Sequence, residues 1–161
     1  MELPKRKANR LTEYDYSMPN AYFITVCTEN RKNLFWKDVG AIIDRPENVP
    51  LTAIGEIVRK SITNISEHYP AITVENFVIM PNHIHLLLQI HTDIDGRSMI
   101  APTVSTVVRL MKGAVSKQAG FSVWQKGFYD HVIRGDQDYK EIWNYIEGNP
   151  GKWVEDKLYN G

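Results

Sequence analysis

Residues 80–90 read Met80-Pro81-Asn82-His83-Ile84-His85-Leu86-Leu87-Leu88-Gln89-Ile90. Pro81-Asn82 is a turn dipeptide, because proline fixes φ and asparagine tolerates turn conformations. The residues after it predict a β-strand that pairs back against residues 72–80 as a hairpin. Side chains alternate across a strand, so His83 and His85 share one face, roughly 7 Å apart along the backbone. The opposite face carries only apolar side chains, namely Ile84, Leu86, Leu88 and Ile90.

Two imidazoles side by side on one face of a strand suit a metal ion, because imidazole is a common ligand for divalent ions. A second interpretation stays open at this point. The strand could be half-exposed, with histidine at its outer positions for no functional reason. The rest of the chain has to decide between these two readings.

The chain around the hairpin predicts the order strand, helix, hairpin, helix, strand. This is the split βαβ pattern of an α+β ferredoxin-like or RRM-like sandwich, in which two helices cover one face of an antiparallel sheet. The histidines would then lie on the face that these helices leave open. The flanking segments are a strand at 21–28, amphipathic helices at 52–67 and 103–119, and strand pieces at 121–124 and 129–134 around Gly127.

A last helix is predicted to cover part of the open face, with Gly135-Asp136 capping its start and Pro150-Gly151 ending it. Tyr145 and Asn149 are four residues apart, so they lie on one flank of this helix, beside its apolar stripe. The stripe expected on the sheet is Tyr139, Ile142, Trp143 and Ile146. Residues 152–161, which include Trp153, are expected to form a loosely packed tail.

Composition predicts a single domain over residues 1–161, with a basic arm at 1–13 and the tail at 152–161. Nineteen basic and nineteen acidic residues cancel, so the total charge does not indicate a nucleic-acid partner. Two basic clusters could still contact phosphates, although the first could equally be a solubilising tail and the second a solvated helix face. They are the arm residues Lys5, Arg6, Lys7 and Arg10, and the helix residues Arg109, Lys112 and Lys117.

Cys27 is the only cysteine, so no intramolecular disulfide can form, which fits a cytoplasmic protein. No apolar stretch is long enough to span a bilayer, and the N-terminus does not read as a signal peptide. We therefore expect a compact protein without a membrane partner.

The histidine pair and the last helix together suggest a site. Two imidazoles and one amide oxygen make three ligands, which leaves positions for phosphate oxygens around a divalent cation. A phenol one helical turn from that amide supplies a nucleophile. Tyr129 and Tyr139 compete with Tyr145 for this role, but only Tyr145 has an amide four residues later. A packing role for Tyr145 stays open on this evidence.

At this point the sequence resembles a known family. Pro81-Asn82-His83-Ile84-His85-Leu86 looks like the His-hydrophobic-His ("HUH") motif of the single-tyrosine transposases, and Tyr145-Ile146-Glu147-Gly148-Asn149-Pro150 looks like their catalytic helix. Residues 14–31 and 124–134 are similar to one branch, the REP-associated tyrosine transposases. The resemblance covers about residues 10–152.

The resemblance implies a metal-dependent enzyme that cleaves and rejoins single-stranded DNA at hairpins of the REP type. Tyr145 would form a 5′-phosphotyrosine link, and His83, His85 and Asn149 would hold Mg²⁺ or Mn²⁺. Insertion-sequence members usually carry glutamine at the third ligand position, whereas asparagine matches the REP-associated branch. Family members include dimers that complete each other's sites and monomers, so homodimer or monomer stays open.

Two alternatives remain. An RRM-like sheet could bind hairpin nucleic acid with an idle site, or the chain could be a hydrolytic metal phosphodiesterase in which Tyr145 is dispensable.

Overall fold

The computed structural model describes residues 21–38, 45–91 and 103–155. Within them, four antiparallel strands form one sheet in the order β2-β3-β1-β4. The strands are β1 (Ala21–Cys27), β2 (Ile72–Met80), β3 (His83–Ile90) and β4 (Tyr129–Val132), and the helices are α1 (Ala53–Thr63), α2 (Ile65–His68), α3 (Val104–Ala119) and α4 (Asp136–Gly148). This element order and strand order are those of the ferredoxin-like sandwich, so the predicted fold class is confirmed.

The two central strands, β1 and β3, are the most apolar of the sheet. All seven residues of β1 are buried, as the run of β-branched and aromatic side chains predicts. β2 and β3 form the predicted hairpin with Pro81 and Asn82 in the turn. Because β3 lies between β2 and β1, neither histidine is at an edge of the sheet.

Threonine side chains fix where α1 and α3 begin. The hydroxyl of Thr52 accepts a hydrogen bond from the Gly55 backbone N–H, and that of Thr103 accepts one from the Thr106 N–H, so each satisfies a donor that the helix leaves free. The segment predicted as one helix at 52–67 is interrupted at Asn64, where α2 starts.

The main core lies between α1, α3 and one face of the sheet. On the sheet side, the core residues are every second residue of the central strands. On the helix side, they are the apolar residues at helical spacing in α1 and α3. These residues are all at most 4% exposed: Tyr22, Ile24, Val26, Ile84, Leu86, Leu88, Val58, Ile62, Val107, Val108, Met111 and Val115. Their burial fixes the register, since a shift of one residue would place the histidines in this core instead.

The connection after β1 is structured where it is described. Trp36 forms a bridge with Leu51, and its indole N–H donates to the Ile79 carbonyl at 2.7 Å. A Cβ on Gly55 would lie 2.5 Å from the Phe35 carbonyl oxygen, so only glycine allows α1 to approach this connection so closely. The connection therefore packs against both α1 and β2.

α4 starts where predicted, but its capping contact and its buried face differ from the prediction. The helix begins at Asp136 with Gly135, at φ 97°, at the cap position, as the predicted Gly135-Asp136 start requires, but no side chain of this pair caps it. Asp138 instead accepts from the Arg134 backbone N–H at 2.9 Å. Trp143 is 36% exposed and does not belong to the buried face, which Ile142 and Ile146 supply.

The segments flanking α4 differ as well. Of the strand pieces expected at 121–124 and 129–134, only Tyr129–Val132 is a strand, while Trp124 makes an isolated bridge with Thr28. The expected loose tail is wrong for its first part, because Pro150–Glu155 forms a 3-10 helix and Trp153 is 3% exposed. Indole burial holds this segment against the sheet.

The basic arm with Lys5, Arg6, Lys7 and Arg10 lies outside the described residues, as do 156–161. In the described ranges, none of the helices combines the length and the apolar character that crossing a bilayer requires.

Candidate functional site

β3 places His83 and His85 on the same face, with their ring centroids 4.7 Å apart. Both are fully buried, so the reading of a half-exposed strand with incidental histidines is wrong. The face that α1 and α3 leave free is covered at this position by other parts of the chain. Two buried imidazoles in contact require an account of their polar atoms.

His83 is oriented by its neighbour in the hairpin turn. Its Nδ1 lies 2.7 Å from the Asn82 side-chain oxygen, which can only accept, so Nδ1 carries the proton and donates. In the neutral ring, Nε2 then carries the lone pair. This is the tautomer that a metal ligand bound through Nε2 requires.

His85 is held from the neighbouring strand by a hydroxyl, which can accept from Nδ1 or donate to it. The register pairs Thr25 with His85, and the Thr25 hydroxyl lies 2.8 Å from His85 Nδ1. The Phe23 ring stacks on the imidazole, with centroids 5.1 Å apart. Nε2 of His85 is buried and has no hydrogen-bond partner in the described part of the chain.

Burial lowers the pKa of His85 well below its ordinary value, and the neighbouring His83 lowers it further. The ring is therefore neutral at pH 7, because both causes disfavour the imidazolium. In the tautomer whose proton is on Nδ1, the neutral imidazole presents the lone pair of its unpartnered Nε2 to a cation.

Tyr145 lies against the histidine pair in the same chain. Its ring centroid is 5.3 Å from that of His85 at an interplanar angle of 63°, and 6.0 Å from that of Phe23. Two interactions position α4 here. Ile142 and Ile146 are fully buried, and the Asn76 amide donates to the Glu147 carboxylate at 3.3 Å. A partner subunit is not needed to bring this tyrosine to these histidines.

Asn149 follows Tyr145 by one turn, at the end of α4, and is 4% exposed. Its Nδ2 is buried without a hydrogen-bond partner among the described residues. The backbone N–H of Lys152 donates to the Asn149 carbonyl at 3.0 Å, which connects the helix end to the 3-10 turn that carries Trp153. The Trp153 ring lies 6.0 Å from the His83 ring and 6.3 Å from the Trp36 ring.

The donor set fits a divalent metal with open positions. Groups of three His, Cys, Asp or Glu side chains able to hold a metal do not occur in the described ranges, so a closed structural site is not built from these residue types. The donors present are two imidazole nitrogens and one amide. The unpartnered Nε2 of His85 is an atom that a cation would satisfy, whereas the unpartnered Nδ2 of Asn149 is a hydrogen-bond donor and does not bear on metal binding. Such a set needs water or phosphate oxygens to complete it.

The remaining polar pair on this face anchors the start of α4. His131 pairs with Phe23 across strands, and its Nε2 lies 2.7 Å from the Asp138 carboxylate. Although partial burial raises the pKa of Asp138, hydrogen bonds from the Arg134 N–H and His131 lower it overall. The first turn of α4 is thus fixed to β4 by a charged acceptor.

The two tyrosines predicted as competitors differ in position: Tyr139 contacts Trp143 on α4, and Tyr129 lies on the sheet. Tyr139 is partly buried and stacks on Trp143, with centroids 6.1 Å apart. Partial burial raises the pKa of Tyr139, and Glu75 raises it further. Tyr129 pairs with Thr25 across strands, on the same face as the histidines.

The basic residues predicted on α3 lie in the helical layer on the opposite side of the sheet. Arg109 and Lys117 are exposed. The Lys112 ammonium donates to the carbonyl oxygens of Gln125 at 2.8 Å and Gly127 at 3.0 Å, and partial burial lowers its pKa. Lys112 therefore fixes the loop before β4.

Sequence reasoning missed the residues that orient the predicted ligands. Thr25 is sixty residues from His85 and becomes its neighbour only through the strand register. Asn82 was assigned to a turn, and Trp153 to a loose tail. The one signal available in advance was threonine among the apolar residues of β1, because a buried hydroxyl needs a partner.

Comparison with known proteins identifies the family. The family model described as "Transposase IS200 like" matches residues 18–149. An uncharacterized protein of Haemophilus influenzae is 32% identical over 96% of this chain and 93% of its own length. The REP-associated tyrosine transposase of Escherichia coli K12 is 24% identical over 87% of this chain and 73% of its own length.

A solved structure of a REP-associated tyrosine transposase bound to a REP hairpin matches with a TM-score of 0.59 and 22% identity, covering 84% of this chain and 70% of that one. That similarity agrees with the fold described above. Because the family match spans most of the chain, the chain belongs to the IS200-like transposase family.

Proposed function

We propose that the protein is a metal-dependent transesterase that cleaves and rejoins single-stranded DNA beside hairpins, with Tyr145 as its nucleophile. The observation that carries the proposal is the contact of Tyr145 with His85, at 5.3 Å between ring centroids, beside a second buried imidazole. A binding module has no need for buried, oriented histidines next to a tyrosine.

His83, His85 and Asn149 would hold the metal ion, Mg²⁺ or Mn²⁺, through two Nε2 atoms and the amide oxygen. The ion would supply Lewis-acid stabilisation of charge on the phosphate. Two features of this chain support the assignment. Asn82 and Thr25 hold the Nδ1 atoms, and burial keeps His85 neutral.

The Tyr145 oxygen would attack the phosphorus of a phosphodiester. A bond from this oxygen to phosphorus forms as the bond to the 3′ oxygen breaks, the phenol loses its proton and the departing 3′ oxygen gains one. The products are a 5′-phosphotyrosine and a free 3′ hydroxyl, so the reverse reaction with another 3′ hydroxyl joins two strands. Packing of α4 on the sheet would preorganise this attack.

The inference of a hairpin substrate is based on related proteins. The E. coli relative is named for its association with REP elements, and the solved neighbour is bound to a REP hairpin. We infer the same substrate class, a hairpin with a single-stranded foot, for this protein.

The test is a covalent adduct. Labelled hairpin DNA with a single-stranded foot, incubated with the protein and Mn²⁺, should give a slower species on a denaturing gel. Tyr145→Phe should abolish it, whereas Tyr139→Phe, on the same helix but stacked on Trp143, should retain it. His85→Gln should lose the dependence on Mn²⁺. Native-gel shifts without any adduct would instead indicate a binding module, and cleavage that survives Tyr145→Phe would indicate a hydrolase.

A further inference from the structure

A cavity of about 400 Å³ lies between α3 and the segment that precedes β4. Trp124 and Phe128 form its apolar side and are 6% and 5% exposed. Arg109, from the exposed side of α3, stands at its rim, and Lys112 lines it while fixing the loop at Gln125 and Gly127. The site described above uses none of these residues.

One of the residues that line the cavity carries an unsatisfied donor. The Trp124 indole N–H is buried and has no acceptor among the described residues, although the ring itself is well packed, 5.4 Å from the Phe35 ring. A buried N–H without an acceptor is destabilising unless a ligand or water supplies one. The side chains that line the cavity, all in the described part of the chain, include no carboxylate, so an anion meets no repulsion there.

The cavity lies at the same end of the sheet as the histidine pair. Trp124 bridges Thr28, whose backbone N–H donates to the Asn82 carbonyl at 2.9 Å, and Asn82 precedes His83. This path crosses about two strand spacings, on the order of 10 Å. One DNA strand could therefore reach both places, although they lie on opposite sides of the sheet.

We propose that this cavity binds one unpaired nucleotide of the DNA, with the base against Trp124 and Phe128 and a phosphate on Arg109. The chemistry of the lining carries the assignment. Aromatic side chains stack on bases, and guanidinium pairs with phosphate in two-pronged geometry. A peptide would use the apolar wall but would bring no phosphate to Arg109. The DNA substrate itself rests on the proposed function.

Gly113 offers a way to fill the cavity. It lines the cavity from α3, and a Cβ added there meets no atom within 4 Å. Gly113→Phe should occupy the space a base would take, whereas Gly113→Ala should leave it open. Binding is measured by fluorescence anisotropy of a labelled hairpin with a foot of about ten nucleotides, within the site sizes of single-strand binders. The measurement is made with EDTA and with variants that also carry Tyr145→Phe, so that the DNA is bound but not cleaved.

We expect Gly113→Phe to weaken binding about fivefold or more relative to Gly113→Ala, the lower range of losing one stacked base. Abasic nucleotides are placed at each position of the foot in turn. At one position, loss of the base should weaken DNA binding by the Gly113→Ala protein but not by the Gly113→Phe protein. Equal affinities of the two variants, or an abasic effect that is the same in both, would overturn the proposal.

A charge pair gives an independent measurement if Gly113→Phe does not fold. Arg109→Gln and Lys117→Gln each remove one exposed positive charge from α3, but only Arg109 lines the cavity. Arg109→Gln should weaken binding about fivefold more than Lys117→Gln, and equal losses would contradict a phosphate on Arg109. If the wild-type protein formed no covalent adduct with DNA, the proposed transesterase activity would be rejected, but the binding results described here would still stand.

Discussion

Thr25→Val tests the assignment of the metal ligands without touching any of them. The substitution keeps the size and branching of the side chain at a position that is 1% exposed, so packing is preserved. It removes only the hydroxyl that lies 2.8 Å from His85 Nδ1. A ligand bound through Nε2 requires the proton on Nδ1, and in the variant this proton has no acceptor.

Two outcomes are open to the ring, and both reduce metal binding. If the proton stays on Nδ1, a buried unsatisfied donor costs about 1–3 kcal/mol. If it moves to Nε2, the lone pair that would face the metal is lost. Removing the partner that orients a metal-bound histidine typically lowers metal affinity by about 10–100-fold. We expect a loss in this range for Mn²⁺.

The assay is a titration of Mn²⁺ into the protein, followed by the electron paramagnetic resonance signal of the free ion. Thr73→Val is the matched control. The Thr73 hydroxyl lies 2.8 Å from Nε2 of the exposed His91, so this substitution removes the same type of contact away from the site. Adduct formation with hairpin DNA should fall in parallel and recover at higher Mn²⁺. If Thr25→Val bound Mn²⁺ as tightly as Thr73→Val, His85 would not be a ligand through Nε2.

Three further predictions concern the surroundings of the site. The pKa of His85 is lowered in the folded protein, so below the ordinary histidine pKa of about 6.5 the unfolded chain takes up a proton that the native ring does not. The free energy of unfolding should therefore fall by about 1.4 kcal/mol for each pH unit below this value. Urea unfolding at pH 6.5 and 5.5 measures this decrease, and the His85→Phe variant should lack the contribution from His85. Trp153→Leu should weaken Mn²⁺ binding about tenfold, because the turn after Asn149 loses its packing on His83; lower thermal stability with unchanged Mn²⁺ affinity would show that Trp153 only packs. Asp138→Ala should lower the unfolding free energy by about 1 kcal/mol and speed amide exchange in the first turn of α4, and unchanged exchange there would contradict its anchoring role.

The strands and helices could be predicted because each pattern is local. Apolar residues at every second position from Ile84 to Ile90 predict a strand with both histidines on its other face, and threonines at positions 52 and 103 mark where helices start. The start of α4 was harder, since Asp136 is as good a capping residue by type as any. Asp138 is used instead because His131 and the Arg134 N–H lie within reach only after β4 pairs with β1.

The packing of α4 shows the limit of periodicity. A stripe at helical spacing includes Trp143 as well as Ile142 and Ile146, and the spacing cannot say which flank meets the sheet. In the structure the helix is rotated so that Tyr145 faces His85 and Trp143 is exposed. The rotation depends on long-range contacts, among them the hydrogen bond from Asn76 to Glu147.

The sequence by itself determined the fold class, the shared face of His83 and His85, and the spacing of Tyr145 and Asn149, because the strand and helix periods are properties of a few consecutive residues. The tertiary structure alone decided that the histidines are buried, that Thr25 and Trp153 hold them in place, and that Tyr145 meets His85 within one chain. Those facts depend on register and packing between residues up to 71 positions apart. Such contacts form only when the whole hydrophobic core is assembled.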